Sequence, residues 1–124
     1  MGRSIDKIVV LGANGAMGSG SGAIFAAAGA EVAFLARDLE KAREGRDRAV
    51  SMTKAEDLHR RITLGTYEKD LERTVAAADL VFEALGEELE LKKRFFERVD
   101  GARREDSIVA TVSSGLSIAR RTVS

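Results

Sequence analysis

A group of closely spaced glycines is the feature of this sequence that most clearly predicts chemistry. The stretch Gly12-Ala13-Asn14-Gly15-Ala16-Met17-Gly18 follows the apolar run 8–11 and opens a segment of small, uncharged residues. Glycines in such a loop permit a tight turn and a close approach of the backbone to a pyrophosphate, and the following helix offers free N–H groups to phosphates. The position between a strand and a helix makes the pattern informative. The sequence therefore predicts a dinucleotide-binding loop made of Gly12, Ala13, Gly15, Ala16, Met17 and Gly18.

The spacing of the glycines departs from the common G-x-G-x-x-G pattern. Ala13 stands at the first glycine position, and Gly12 comes one residue earlier. We therefore expect a turn slightly longer or wider than usual, a variant that is frequent among NADP-binding proteins. The alternative is that the glycines only permit tight packing of a helix on a sheet, and this is the explanation that we expect for Gly20 and Gly22.

The residues at the end of the second predicted strand bear on the choice between NAD and NADP. An NAD-binding fold usually carries Asp or Glu there to bind the adenosine ribose, but this sequence has Ala36 followed by Arg37. The missing carboxylate removes repulsion against a 2′-phosphate, and the guanidinium could pair with that phosphate. The alternatives are that Arg37 is solvated and that Asp38 only caps the next helix. These residues favour NADP.

Short β-type runs alternate with longer helical patterns along the chain, and these elements must position the loop. The apolar runs predict strands at 8–11, 32–36, 62–64, 79–84 and 107–112. Between them the sequence predicts helices at 16–28, 38–50, 68–78 and 89–99, with another helical turn inside 51–61. Such alternation indicates a parallel sheet with right-handed crossovers. We predict a Rossmann-like, doubly wound α/β fold with three α/β/α layers, forming one domain over residues 1–124.

Composition and charge exclude several classes of protein. The 124 residues balance 20 Lys+Arg against 20 Asp+Glu, which argues against a nucleic-acid binder. No apolar run approaches the ~18 residues of a membrane span, and the start of the chain leaves no room for a secretory signal. The absence of Cys excludes disulfides and thiolate metal sites and is compatible with a cytoplasmic protein. We expect no metal site, because the carboxylates are scattered.

Three motifs, in order, resemble the N-terminal domain of the 3-hydroxyacyl-CoA dehydrogenases. That family carries a G-x-G-x-M-G loop, a stretch A-D-L-V-x-E-A-x-x-E-x-L-x-x-K and later S-N-T-S-S-L-x-I. This chain has G-A-M-G at 15–18, A-D-L-V-F-E-A-L-G-E-E-L-E-L-K at 78–92 and T-V-S-S-G-L-S-I at 111–118. The combination covers nearly the whole chain. It implies binding of NAD and, in the full enzyme, hydride transfer between C3 of a 3-hydroxyacyl-CoA and the nicotinamide.

The resemblance also implies roles for three further residues. Glu87 and Lys92 match family positions near the bound cofactor, and Ser114 matches a serine that contacts the acyl substrate. Each has a simpler explanation: Lys92 could pair with Glu88 on the surface, Glu87 could complement a helix dipole, and Ser114 could satisfy backbone groups. All three follow the carboxyl ends of predicted strands, where open α/β sheets bind ligands.

The sequence also departs from the family. The strand-two Asp is Ala36, and the S-N-T triplet reads Thr111-Val112-Ser113. The family's catalytic His and its helical domain lie beyond the matched stretch, so we expect no catalytic residue in this chain. His59 stands in a charged segment and is expected to be solvated. We expect a fragment of a longer parent that binds cofactor without turnover and whose uncovered apolar surface favours a homodimer.

Two other functions agree with these departures. One is a regulatory module that senses a nucleotide and acts through a partner. The other is a fragment of an NADP-dependent reductase of the β-hydroxyacid type, whose catalytic residue is a Lys in a later helix. In the parent gene, an H-x-F-N-P-like strand and a long helical bundle after residue 124 would favour the dehydrogenase, whereas a short tail or an unrelated domain would favour the sensing module.

Overall fold

Five parallel strands form the centre of the protein. The computed structural model describes residues 5–53, 57–86 and 89–112. In chain order the elements are β1 (Lys7–Leu11), α1 (Ala16–Ala27), β2 (Glu31–Ala36), α2 (Leu39–Met52), α3 (Leu58–Arg61), β3 (Ile62–Thr66), α4 (Tyr67–Ala77), β4 (Leu80–Glu83), α5 (Leu89–Ala102) and β5 (Ile108–Thr111). The strand order is β3-β2-β1-β4-β5, and every pairing is parallel. The predicted Rossmann-like fold is confirmed.

The strands are apolar throughout because helices cover both faces of the sheet. Successive residues of β1 lie on opposite faces of the sheet and pack in different core layers. Val10 packs with Phe34 and Ala23 on the side of α1 and α2, whereas Val9 packs with Val75 and Val99 on the side of α4 and α5. The three-layer arrangement predicted from the alternation of strands and helices is therefore present.

Local signals in the sequence set the ends of several helices. Asp38 precedes α2, and its carboxylate accepts a hydrogen bond from the backbone N–H of Lys41 at 2.9 Å, which confirms the predicted cap. Thr66 caps α4 in the same way, accepting from the N–H of Lys69 at 3.3 Å. Gly29, with φ of +108°, ends the α1–β2 turn in the left-handed conformation that glycine permits.

The predicted element limits differ from the observed ones mainly at three places. Strand β3 extends to Thr66, two residues further than the apolar run suggested, and α4 begins immediately at Tyr67. Helix α5 continues to Ala102, three residues beyond the predicted end. The expected extra turn in 51–61 is α3. None of the helices in the described ranges is both long and apolar enough to cross a membrane.

The amino edge of the sheet is held together by one carboxylate. Asp79 directly precedes β4, and its Oδ2 accepts hydrogen bonds from the backbone N–H groups of Asp6 and Lys7 at 2.8 and 2.9 Å. Its Oδ1 pairs with Nη2 of Arg104 at 2.7 Å. The Arg104 hydrogen bond, followed by those from the backbone, lowers the pKa of Asp79 from 3.8 to about 2. This group therefore joins β1, β4 and the segment that leads into β5.

Candidate functional site

A cleft of about 570 Å³ opens at the carboxyl edge of the sheet. The cleft lies at the switch point of the sheet, beside β1. From β1 the chain continues to β2 and β3 on one side of the sheet, and it then returns to form β4 and β5 on the other side. Ligands of open α/β sheets bind at such a switch point. The cleft is lined by Gly12, Asn14, Gly15, Arg37, Lys41, Tyr67, Ala84, Leu85, Gly86 and Phe95.

Gly12 forms the floor of the cleft, where two segments of backbone come close together. Its φ is +81°, and a Cβ atom added there would lie 2.4 Å from the carbonyl oxygen of Ala84. Both the conformation and the space therefore require glycine. The result is a flat surface in which the end of β1 lies directly against the end of β4.

Gly18 lets the first turn of α1 lie on the loop that precedes it. A Cβ at this position would lie 2.2 Å from the carbonyl oxygen of Gly12, so any larger residue would push the helix away. Gly15 is the N-terminal cap residue of α1, and no side chain caps that end among the described residues. Free N–H groups at a helix start are donors for a phosphate. The loop therefore leaves the end of α1 open to a ligand.

Packing alone explains one of the two glycines further along α1. A Cβ at Gly22 would lie 2.3 Å from the ring of Phe34, which confirms its predicted packing role. At Gly20 the nearest atom is the sulfur of Met52 at 3.9 Å, an ordinary contact distance. Tight packing therefore does not require a glycine at position 20.

Tyr67 places a hydroxyl group beside the glycine loop. The backbone N–H of Gly12 donates a hydrogen bond to its Oη at 2.9 Å. Its ring packs edge-on against Phe95, with 4.6 Å between the centroids, and both residues line the cleft. Burial raises the pKa of Tyr67 from 10.0 to about 12, so the hydroxyl is protonated at neutral pH. Since Oη accepts from Gly12, its own proton is a further donor at this position.

The charged residues among the described lining are both cations. Arg37 follows β2, and Lys41 lies one turn into α2, so both belong to the β2 side of the cleft. Ala36 is fully buried, and the carboxylate of Asp38 faces its own helix as a cap. The β2 side of the cleft therefore carries positive charge.

Glu83 ends β4 beneath the same edge and is fully buried. Its Oε2 accepts a hydrogen bond from the backbone N–H of Leu85, and its Oε1 accepts one from the hydroxyl of Thr111 on the neighbouring strand. These bonds join the segment that lines the cleft to the end of β5. Burial of a carboxylate is costly unless its oxygens are satisfied, so this arrangement fixes both strand ends.

The other residues predicted for the site have different environments. Within the loop, Ala13 is fully buried. Ala16 and Met17, in the first turn of α1, are exposed. Lys92 is only 6% exposed, which contradicts its alternative explanation as part of a surface pair. Glu87 and Ser114 lie outside the described residues. His59 is exposed, as expected.

Sequence reasoning missed seven residues that line the cleft: Asn14, Lys41, Tyr67, Ala84, Leu85, Gly86 and Phe95. Lys41 could have been found, because it lies one helical turn beyond the Asp38 cap and therefore near Arg37. Tyr67 is the only Tyr in the chain, but nothing in the sequence shows that it contacts Gly12, 55 residues earlier.

Comparison with known proteins assigns the family. The family model described as "3-hydroxyacyl-CoA dehydrogenase, NAD binding domain" matches residues 7–122. The chain belongs to this family. The resemblance found in the three sequence motifs is therefore confirmed, and the cleft described above is a feature of an NAD-binding domain.

Three relatives show how this NAD-binding domain compares with larger proteins. It is 31% identical to a Rickettsia felis protein named as a fatty acid oxidation complex trifunctional enzyme, over 97% of this chain and 18% of the relative. The structure of 3-hydroxybutyryl-CoA dehydrogenase from Escherichia coli K12 is similar with a TM-score of 0.73 and 26% identity, covering 88% of this chain and 25% of that chain. For (S)-3-hydroxybutyryl-CoA dehydrogenase from Ralstonia eutropha the TM-score is 0.75 and the identity 25%, covering 87% and 41%. The chain thus spans less than half of the length of each of these relatives.

Proposed function

We propose that the cleft binds the dinucleotide of a 3-hydroxyacyl-CoA dehydrogenase. The observation that carries this proposal is the close contact between Gly12 and Ala84, because it leaves a backbone surface with no side chain where a pyrophosphate would lie. The uncapped start of α1 at Gly15 supports it by offering backbone donors to that pyrophosphate. The volume of about 570 Å³ is within the range of small-molecule sites.

The strand order supports one direction for the bound dinucleotide. The adenosine half would lie towards Arg37 at the end of β2, and the pyrophosphate on the loop formed by Gly12, Ala13, Gly15, Ala16, Met17 and Gly18. The nicotinamide half would then extend over the end of β4, towards Leu85 and Gly86, which line that side. Glu87 and Lys92 follow in the chain, and we propose that they act at this nicotinamide end.

In a longer protein, the bound nicotinamide would accept or donate the hydride at C3 of a 3-hydroxyacyl-CoA. The residues of this chain would hold and orient the cofactor, and Ser114 would contact the acyl substrate. Proton transfer to the carbonyl oxygen needs a general acid or base at that oxygen. We assign this role to none of the 124 residues, so the chain alone should bind cofactor without catalysing the reaction.

The two cations on the β2 side support a finer proposal, that the site accepts NADP. Arg37 and Lys41 line the cleft, and Asp38 is engaged by its own helix, so no carboxylate of the described lining would repel a 2′-phosphate. A guanidinium and an ammonium on one phosphate would favour NADPH over NADH by about tenfold, since charge-assisted hydrogen bonds contribute roughly 1.5–3 kcal/mol.

Calorimetric titration of the chain with NADH and NADPH tests both proposals. Binding of either cofactor supports the dinucleotide site, and tighter binding of NADPH that reverses in Arg37→Asp supports selection by Arg37. Arg43→Asp is the matched control, because Arg43 is also exposed on α2 but does not line the cleft. Equal affinities in all three proteins would contradict the NADP proposal, and absence of binding at millimolar concentration would contradict the site itself.

A further inference from the structure

Glu83 is a buried carboxylate at the carboxyl edge of the sheet, next to the cleft. It is fully buried in the last position of β4, between Leu11 of β1 and Thr111 of β5 in the sheet register. Its two oxygens accept from the N–H of Leu85 and the hydroxyl of Thr111. Within the described part of the chain, no ion pair reaches it. An apolar residue would fill the same volume at lower cost in free energy, so the charge itself requires an explanation.

The two described hydrogen-bond partners of Glu83, the backbone N–H of Leu85 and the hydroxyl of Thr111, can both donate to a carboxylate. An ionised carboxylate only accepts hydrogen bonds. Such bonds to a charged acceptor are stronger than those between neutral groups. The field of the charge is weakly screened, since a buried site has a lower effective dielectric than water.

The position of Glu83 connects this charge to the cleft. The next residue, Ala84, contacts Gly12 on the floor, and Leu85, which is held by Glu83, lines the wall on the β4 side. With the adenosine half at β2 and the pyrophosphate at β1, the β4 side is where the nicotinamide half would lie. The negative charge is therefore beneath the end of the ligand whose charge changes on reduction.

We infer that Glu83 sets the relative affinity for the two redox states of the cofactor, favouring the oxidised form with its cationic nicotinamide ring over the neutral reduced form. This inference rests on the proposed dinucleotide site. The carboxylate attracts the positive ring of the oxidised cofactor and has no such interaction with the reduced ring. It thereby moves the equilibrium of the bound couple towards the oxidised cofactor.

The basic residues of this region do not change the direction of the effect. Arg37 and Lys41 line the adenosine side of the cleft, and Lys92 is a buried residue of α5. All three remain when Glu83 is neutralised, so their interactions with the ring cancel in a comparison between native protein and variant. Loss of the carboxylate therefore weakens binding of the oxidised form relative to the reduced form, whatever the balance of charges in the native site.

Glu83→Gln tests the inference because the amide keeps the size of the side chain and can keep both hydrogen bonds. Its oxygen can accept from Leu85, and its nitrogen can donate to the hydroxyl of Thr111. We expect the ratio of dissociation constants, oxidised over reduced, to rise by about fivefold, as for two charges that interact at an effective dielectric of about 20, well below that of water. A purely structural role would weaken both forms equally and leave this ratio unchanged. Thr111→Val is the matched control, because it removes a donor to Glu83 but keeps the charge.

The outcomes separate this inference from the proposed site. If both forms bind the native chain but the ratio is the same within twofold in Glu83→Gln, the inference is wrong and the site stands. If neither form binds the native chain, the site itself is wrong. Should Glu83→Gln fail to fold, the double variant Glu83→Met with Thr111→Val removes the charge and the hydroxyl together, and the same rise in the ratio is expected. An unchanged ratio in the double variant would equally overturn the inference.

Discussion

Two carboxylates at opposite ends of β4 show how the same chemical group can stabilise a fold or prepare a site. Asp79, at the amino end, is paired with Arg104 and holds the N–H groups of Asp6 and Lys7. Glu83, at the carboxyl end, is fully buried, and its bonds run to the segments that surround the cleft. Asp79 joins strands away from the cleft, whereas Glu83 joins the ends of β4 and β5 directly beneath a wall that a ligand would contact.

The glycines at the two edges of the sheet also differ in how closely other backbone atoms approach them. At the carboxyl edge, Gly12 and Gly18 would both place a Cβ within 2.4 Å of backbone carbonyl oxygens. At the amino edge, a Cβ added at Gly29 would meet the flexible end of Arg61 at 3.3 Å and no backbone atom of the described residues within 4 Å. The close backbone contacts at the carboxyl edge therefore leave a surface without side chains where a ligand would lie, and the amino edge has no comparable contact at Gly29.

The largest effect is expected for Gly12→Ala. The added methyl group would collide with the carbonyl oxygen of Ala84 and strain the positive φ, so the floor of the cleft must move. We expect cofactor affinity to fall by about 100-fold, since a misplaced binding surface loses several charge-assisted bonds.

Gly29→Ala is the matched control for this variant, because Gly29 lies at the amino edge of the sheet and does not line the cleft. Gly29 also has a positive φ, +108°, and an added Cβ would lie 3.3 Å from the flexible end of Arg61. It should therefore lose stability through strain and change cofactor affinity by less than about twofold. Equal losses of affinity in the two variants would show that the contact with Ala84 does not shape the floor. Calorimetric titration with NADH measures the affinity of both variants.

The second prediction concerns acid stability at the amino edge. Because the folded pKa of Asp79 is about 2, below its ordinary 3.8, its stabilising effect is complete above pH 4 and is lost as the pH falls through 2. We expect a loss of about 1–2 kcal/mol in the free energy of unfolding over this interval. Urea unfolding at a series of pH values would reveal it, and Asp79→Asn should flatten the curve. An unchanged curve would show that Asp79 does not join the strands as described.

The third prediction separates the two carboxylates directly at neutral pH. Asp79→Asn should cost about 1 kcal/mol of stability, because the amide can still accept from the backbone but loses the ionic bond to Arg104. It should leave the affinities for oxidised and reduced cofactor unchanged. A change in their ratio comparable to that in Glu83→Gln would remove the distinction between the two ends of β4. Thermal unfolding and titration provide the two measurements.

The smallest effect is expected for Tyr67→Phe. The ring contact with Phe95 is retained, but the Gly12 N–H loses its acceptor and the cleft loses a hydroxyl donor. We expect cofactor binding to weaken by about threefold to fivefold, as for a neutral hydrogen bond of roughly 1 kcal/mol. With the pKa at about 12, affinity should not vary through Tyr67 between pH 7 and 9. Tighter binding in the variant would contradict a supporting role for this hydroxyl.

Features set by neighbouring residues could be predicted from the sequence. The strands, the cap at Asp38 and the order of the glycine loop each depend on a pattern within about twenty residues. The glycine-rich segment also predicts the packing role of Gly22 against Phe34, although the same prediction for Gly20 is wrong. The family resemblance added the site residues near β4 that no local pattern identifies.

Contacts across the sheet could not be predicted. Tyr67 meets Gly12, and Glu83 meets Thr111, only because particular strands lie side by side and in register. The sequence likewise gives no sign that Lys92, in a strongly charged segment, is buried while the similarly placed Lys93 is exposed. Burial of such a group depends on how the helix is rotated against the sheet, which the packing of both layers decides.

Backbone amide NMR during a titration with NADH would show whether the dinucleotide binds at the carboxyl edge of the sheet. We predict that the shifts concentrate at residues 12–18, 37–41 and 84–86, with little change at Lys7, Asp79 and Arg104. Saturable shifts concentrated instead at the amino edge would contradict the account.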